Sequence, residues 1–253
     1  MVLNRIYRLI RLAVLCAVLF IAAPIAITGA YKYAEGWPES WNTADWSATG
    51  TAPRPAEETA AIVRIYAART GRWKSMFAVH TWIALKPADA ARWTRYDVVG
   101  WGRPVRRDAY PVDARWYSNK PYVVYQVKGQ MAQKLIPEIT AAINAYPYGD
   151  YGDYTLWPGP NSNTFVASIV RAVPGLDAEL PATAIGKDFL GPGLETAPMP
   201  TKTGWQISWA GIIGAGLSWK EGFEFHLLGG TLGINPLNLS IKLPGAGRLS
   251  LLE

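Results

Sequence analysis

Two histidines and one serine carry most of the chemistry open to this chain. His80 falls inside a run with strand character, residues 75–85, and Ser162 follows Asn161 where a helix is expected to begin. A hydroxyl at a helix N-terminus sits at the positive end of the dipole, where backbone N–H groups without intrahelical partners can hold a developing oxyanion. A histidine on a neighbouring strand is then suited to take the hydroxyl proton. Asn161 has the side chain of an N-cap, and with Asn163 it is also a candidate for substrate contact.

The remaining constellations are poorer. Glu224 and His226 share one face of an expected strand, but no cysteine and no third histidine-bearing element completes a ligand set, so no metal and no cofactor is expected. Asp150 and Asp153 would suit calcium or a glycosidase acid, and are equally ordinary in a Gly/Tyr turn. Arg103, Arg106 and Arg107 beside Pro104 read as a solvated loop that could also meet an anionic envelope polymer or lipid headgroups. GIIGAG lacks the strand-to-helix setting of a phosphate cradle.

The N-terminus sets the compartment. Arg5, Arg8 and Arg11 precede an uncharged run over residues 12–30, about 19 residues and long enough to cross roughly 30 Å of hydrocarbon. Basic residues before the span and Glu35, Glu39 and Asp45 after it place the N-terminus inside and the rest of the chain outside. A cleaved signal peptide is the alternative, since Thr28, Gly29 and Ala30 are small enough for processing; the length of the run favours an anchor. Cys16, the single cysteine, lies in this run, so the exported part has neither disulfides nor a cysteine nucleophile. Without the three anchor arginines, the net charge of +6 falls to +3, and nucleic acid is not indicated as a partner.

Residues 33–58 are rich in Trp, Pro, Ser and Thr without periodicity and read as a linker packed through Trp37, Trp41 and Trp46. Strands are expected at residues 61–68, 75–85, 96–101 and 122–127, and helices at 130–145, bent or interrupted by Pro137, and from Ser162 to the Pro174-Gly175 stop. From Gly204 the chain turns Gly-rich with short alternating runs, the pattern of a small antiparallel appendage.

His80-Thr-Trp-Ile-Ala-Leu, Tyr96-Asp-Val-Val-Gly-Trp-Gly and Asn161-Ser-Asn-Thr-Phe, in that order, resemble the circularly permuted branch of the NlpC-type, papain-like superfamily, which includes lecithin:retinol acyltransferase-like proteins. There a strand histidine precedes an Asn-Cys-Asn-x-Phe-like motif opening a helix; here Ser162 stands in place of the cysteine. Most of the chain also resembles bacterial membrane-anchored proteins catalogued as a domain of unknown function. The resemblance implies an α+β fold, an antiparallel sheet with packed helices, behind one transmembrane helix. It further implies Ser162 as nucleophile, His80 as base, and a third polar residue after the His80 strand. Asp97 or Tyr96 fits that role, and strand alternation lets only one face inward. Trp82, Tyr96 and Trp157 join Asn161 and Asn163 as expected substrate contacts.

The expected organisation is an anchor at 1–32, a linker at 33–58, a papain-like core at 59–200 and a β appendage at 201–253. Three functions follow: a hydrolase or acyltransferase acting on an amide or ester of cell-wall peptide or lipid; a non-catalytic module holding glycan, peptide or lipid; or a scaffold of a membrane complex. The location is the cytoplasmic membrane, single-pass, with the globular part in the periplasm. A reporter fused after Glu253 is expected to be active only when it requires export; activity of a cytoplasm-dependent reporter would reverse the topology.

Overall fold

The computed structural model describes residues 2–251. It opens on one long helix in three pieces: α1 (Val2–Ala17), a π-helical turn (Val18–Ala22) and α2 (Ala23–Glu35). Pro24 accounts for the wide turn. A proline has no N–H to donate to the carbonyl four residues back, and the Ala23 N–H reaches past that register to Val18 O. Among the described residues this is the one helix long and apolar enough to span a membrane.

Five strands, β1 (Ile62–Arg69), β2 (Val79–Lys86), β3 (Thr94–Val98), β4 (Val105–Arg107) and β5 (Tyr122–Lys128), form an antiparallel sheet in the order β4-β3-β2-β1-β5. Its two central strands are buried on both faces, which is why residues 61–68 show no polar alternation. Val63, Ile65, Ile83 and Leu85 face two helices, α3 (Gln130–Asn144) and α4 (Ser162–Ala172). Tyr66, Trp82 and Ala84 face the other way, under a lid of loop aromatics that includes Trp46, Tyr110, Trp116 and Tyr117. Helices, sheet and aromatic lid make three layers.

Several local expectations change. The run at 75–85 is not all strand: Arg72–Met76 forms a 3-10 turn, and β2 begins only at Val79. Pro137 does not interrupt α3, which runs from Gln130 to Asn144, because its buried stripe of Ala132, Leu135, Ile139 and Ile143 outweighs one lost hydrogen bond. The segment read as a linker is pinned where it crosses the domain: Asp113 Oδ2 accepts from the N–H groups of Thr51 and Ala52, and Arg115 pairs with Asp45 at 2.8 Å.

A second sheet is a seven-stranded meander in chain order: β6 (Leu194–Pro198), β7 (Gly204–Trp209), β8 (Ile213–Ser218), β9 (Gly222–Leu227), β10 (Gly230–Asn235), β11 (Ser240–Leu243) and β12 (Gly247–Ser250). It starts at Leu194, ahead of the boundary expected at 201. The mixture of helices and antiparallel sheets behind an apolar N-terminal helix agrees with the expected class.

Phe165 anchors the first core. It is fully buried on α4, edge-on to Tyr146 at 5.0 Å. Phe165→Ala is expected to cost about 3–5 kcal/mol, read from equilibrium denaturation; a loss under about 1 kcal/mol would mean that α4 is not part of the core.

Candidate functional site

The register between β2 and β3 ends at the pair Ile83–Tyr96, while β3 continues against β4 through Val98. The two strands therefore part at the end of the sheet where β2 begins. A cavity of ≈ 470 Å³ lies at this end, with His80, Val98, Trp116, Trp157, Ser162 and Asn163 among its walls. Gly100 lets the Tyr154 ring close one side, because a Cβ there would meet the ring at 2.7 Å.

Ser162 is the first residue of α4. The Asn161 side chain caps the helix, its Oδ1 accepting from the N–H groups of Asn163 at 2.9 Å and Thr164 at 3.2 Å. Asn161 Nδ2 donates to the carbonyls of Leu156 and Ile185, a fit that needs glycine at Gly186, where φ is +91° and a Cβ would lie 2.5 Å from that nitrogen. Asn163 joins helix to strand. Its Nδ2 donates to Val79 O and Ile185 O, both at 2.9 Å, and its Oδ1 accepts from Thr81 Oγ1. Capping thus consumes two of the N–H groups expected to serve an oxyanion, and the Ser162 N–H is the one in this turn without a partner among the described residues.

His80 lies flat against Trp116, ring centroids 3.6 Å apart and planes 5° from parallel. Its Nε2 sits 3.3 Å from Asp97 Oδ1. A carboxylate only accepts, so Nε2 carries the proton and Nδ1 keeps the lone pair. Arg95, two residues along the same strand face, grips Asp97 with Nε at 3.0 Å and Nη2 at 3.1 Å, and its guanidinium lies 4.1 Å over the Trp82 ring. Burial lowers the His80 pKa more than the Asp97 contact raises it. Burial alone would raise the Asp97 carboxyl, but the His80 hydrogen bond and the Arg95 charge hold it below its usual range.

The expected site residues therefore divide. Asp97 and not Tyr96 faces His80. Tyr96 points into the helix-side core, and Trp82, fully buried, stacks on Tyr66 with its indole N–H on Val112 O. Neither lines the cavity: Tyr96 pairs with Ile83 inside the sheet, short of the end where β2 and β3 part, and the Arg95 guanidinium covers Trp82. Trp157 does line it, half-exposed, and donates to Leu228 O at 3.1 Å. Arg95 and Trp116 complete the surroundings of His80 without any motif that singles them out. The first is legible in hindsight from its two-residue spacing to Asp97, whereas nothing in the loop sequence marks Trp116.

Glu224 and His226 do share a buried face, and cations already occupy it. Glu224 accepts from Lys187 Nζ at 2.8 Å and 3.0 Å and from Lys242 Nζ at 2.6 Å, which holds its carboxyl far below the usual range against the effect of burial. No metal-binding cluster of His, Cys, Asp or Glu occurs among the described residues.

This is an α+β domain with a buried histidine–carboxylate pair, its histidine in the wall of an aromatic cavity, carried behind an apolar helix. Residues 60–189 match the family described as "Protein of unknown function (DUF3750)", just over half of the chain, and the chain belongs to that family. The match takes in the whole five-stranded sheet, α3, α4 and the Asn161–Gly186 contact. No curated protein and no solved structure matches the chain.

Burial lowers both histidines, His80 and His226. A histidine harder to protonate folded than unfolded contributes stability that is present above about pH 6.5 and lost as pH falls, since the unfolded chain takes the proton first. The expected loss is at most about 1.4 kcal/mol per pH unit per histidine. Ring titration by NMR should give both midpoints below about 6.5, and the unfolding midpoint should fall between about pH 7 and pH 5. A His80 midpoint above its ordinary value would mean that the ring is held as the imidazolium.

Proposed function

We propose that this chain is an exported, membrane-anchored protein with a permuted papain-like arrangement, whose cleft transfers an acyl group from an amide or ester to water or to another acceptor. The observation that carries this reading is that His80, oriented through Nε2 by Asp97, lines one cavity with Ser162. Ser162 Oγ adds to the carbonyl carbon as Nδ1 of His80 takes its proton, and the Ser162 N–H meets the oxyanion. Breaking the C–N or C–O bond releases an amine or alcohol that leaves with the His80 proton. Water or an acceptor nucleophile then gives its proton to His80 and takes the acyl group, and Ser162 Oγ leaves with that proton, restoring both side chains.

The aromatic walls favour a substrate with an apolar body, which is compatible with a lipid or with cell-wall peptide. Trp157 is the best-placed contact, Asn161 and Asn163 shape the turn that presents Ser162, and Trp82 and Tyr96 act from behind. The basic flank before the apolar span and the acidic residues after it support export.

A specific observation favours a second reading, a non-catalytic module that holds peptide, glycan or lipid in the same cavity. Arg95 already neutralises Asp97, and its charge opposes the imidazolium that serine chemistry requires.

The readings part in one experiment. A fluorophosphonate should label the full-length wild type and not Ser162→Ala; no labelling of either would favour the binding module. In a Cys16→Ala background, Ser162→Cys should alkylate near pH 6–7 faster than a model thiol of pKa about 8.5, and an added His80→Ala should slow it. A rate indifferent to His80 would end the catalytic reading.

A further inference from the structure

The seven-stranded sheet is inside out. Along β7, Gln206 and Ser208 are buried while Trp205, Ile207 and Trp209 are exposed; along β9, Glu224 and His226 are buried while Phe223 and Leu227 are exposed. The inward polar groups are held by the Lys187–Glu224–Lys242 ion pairs, so the polarity of this face is structural. The outward side chains form an unbroken cross-strand row through six strands, Trp205, Leu217, Phe223, Ile234, Ile241 and Leu249, each directly opposite the next. At about 4.8 Å per strand the row is roughly 24 Å wide, and the face is on the order of 500 Å², the upper end of what a monomer leaves exposed to water.

The N-terminal helix identifies what covers it. Cys16, Phe20 and Ile21 lie across β9–β11 on this same outer face, with an apolar cavity of ≈ 600 Å³ between helix and strands, and Ile25 packs on Gly245. These residues belong to the middle of the uncharged run, and their neighbours Leu15, Val18 and Leu19 are exposed. Whatever medium surrounds the middle of that helix also surrounds the strands beside it.

We propose that the outer face of the second sheet is seated in the hydrocarbon of the lipid bilayer, next to the N-terminal helix. The protein then meets its membrane through a helix and a sheet face together. Contact is through side chains, because every strand but the outermost two has its backbone hydrogen-bonded on both sides and only the face presents apolar surface. Trp219, exposed in the turn between β8 and β9, supplies an indole suited to the headgroup boundary. The inference stands whether or not Ser162 is a nucleophile.

The test uses full-length Cys16→Ala protein in phosphatidylcholine–phosphatidylglycerol vesicles, with an environment-sensitive dye on Leu217→Cys or Ile207→Cys of the outer face, or on Arg92→Cys of the β2–β3 turn. All three positions are exposed, so substitution spares the packing. Dyes at 217 and 207 should emit to the blue of the dye at 92, lose most of their quenching by aqueous iodide, and be quenched by phosphatidylcholine brominated on its acyl chains; the dye at 92 should do the reverse. Iodide quenching at 217 and 207 equal to that at 92 would overturn the proposal. Protection from iodide without quenching by brominated lipid would also overturn it, and would assign the face to a second copy or another protein.

Discussion

The Asn163 side chain holds the candidate site together. From the first turn of α4 it binds Val79 O and Thr81 Oγ1 on β2 and Ile185 O in the loop that follows the helix. Residues 79 and 81 flank His80, so this one amide places the helix start against the strand position that carries the imidazole. It is 3 % exposed. At that depth each unpaired polar group costs about 1–3 kcal/mol, which makes the alternative placements of the helix expensive. The cleft inherits its geometry from this junction: β3 parts from β2 where the helix start packs, and Gly186 brings the loop close enough to complete the Asn161 cap.

Around the junction the molecule uses its aromatics in two ways. On the lid side of the first sheet, Trp116 stacks on His80 while Trp82 lies beneath the Arg95 guanidinium, so the buried Arg95–Asp97 ion pair and the His80 ring beside it are enclosed by indole faces, the one under Arg95 being a surface that a cation favours. On the second sheet, the exposed tryptophans lie on the apolar outer face. Three cavities link these regions: that beside His80 shares Phe77, Ile185 and Leu228 with a second of ≈ 350 Å³, which in turn shares Ile21, Phe225 and Leu232 with the groove under the helix. The site and the apolar outer face of the second sheet are thus separated by apolar walls held in common.

Periodicity and capping chemistry in the sequence by themselves determined the apolar helix, the antiparallel strands around His80, the helix opening at Ser162 under its Asn161 cap, and the alternation of the second sheet. These are local properties, set by neighbours a few residues apart. Alternation also required Asp97 and Tyr96 to face opposite ways. Tertiary structure alone decided which of them meets His80, because that depends on the face to which β3 is joined. It likewise decided that Trp82 is enclosed, that Trp116 arrives from a distant loop to stack on the imidazole, and that Lys187 and Lys242 converge on Glu224. The same limit hid the inversion of the second sheet: alternation says that a strand has two unlike faces, and only its packing partners decide which face is turned inward. Here ion pairs hold the polar face against the domain and leave the apolar one outside, beside the helix.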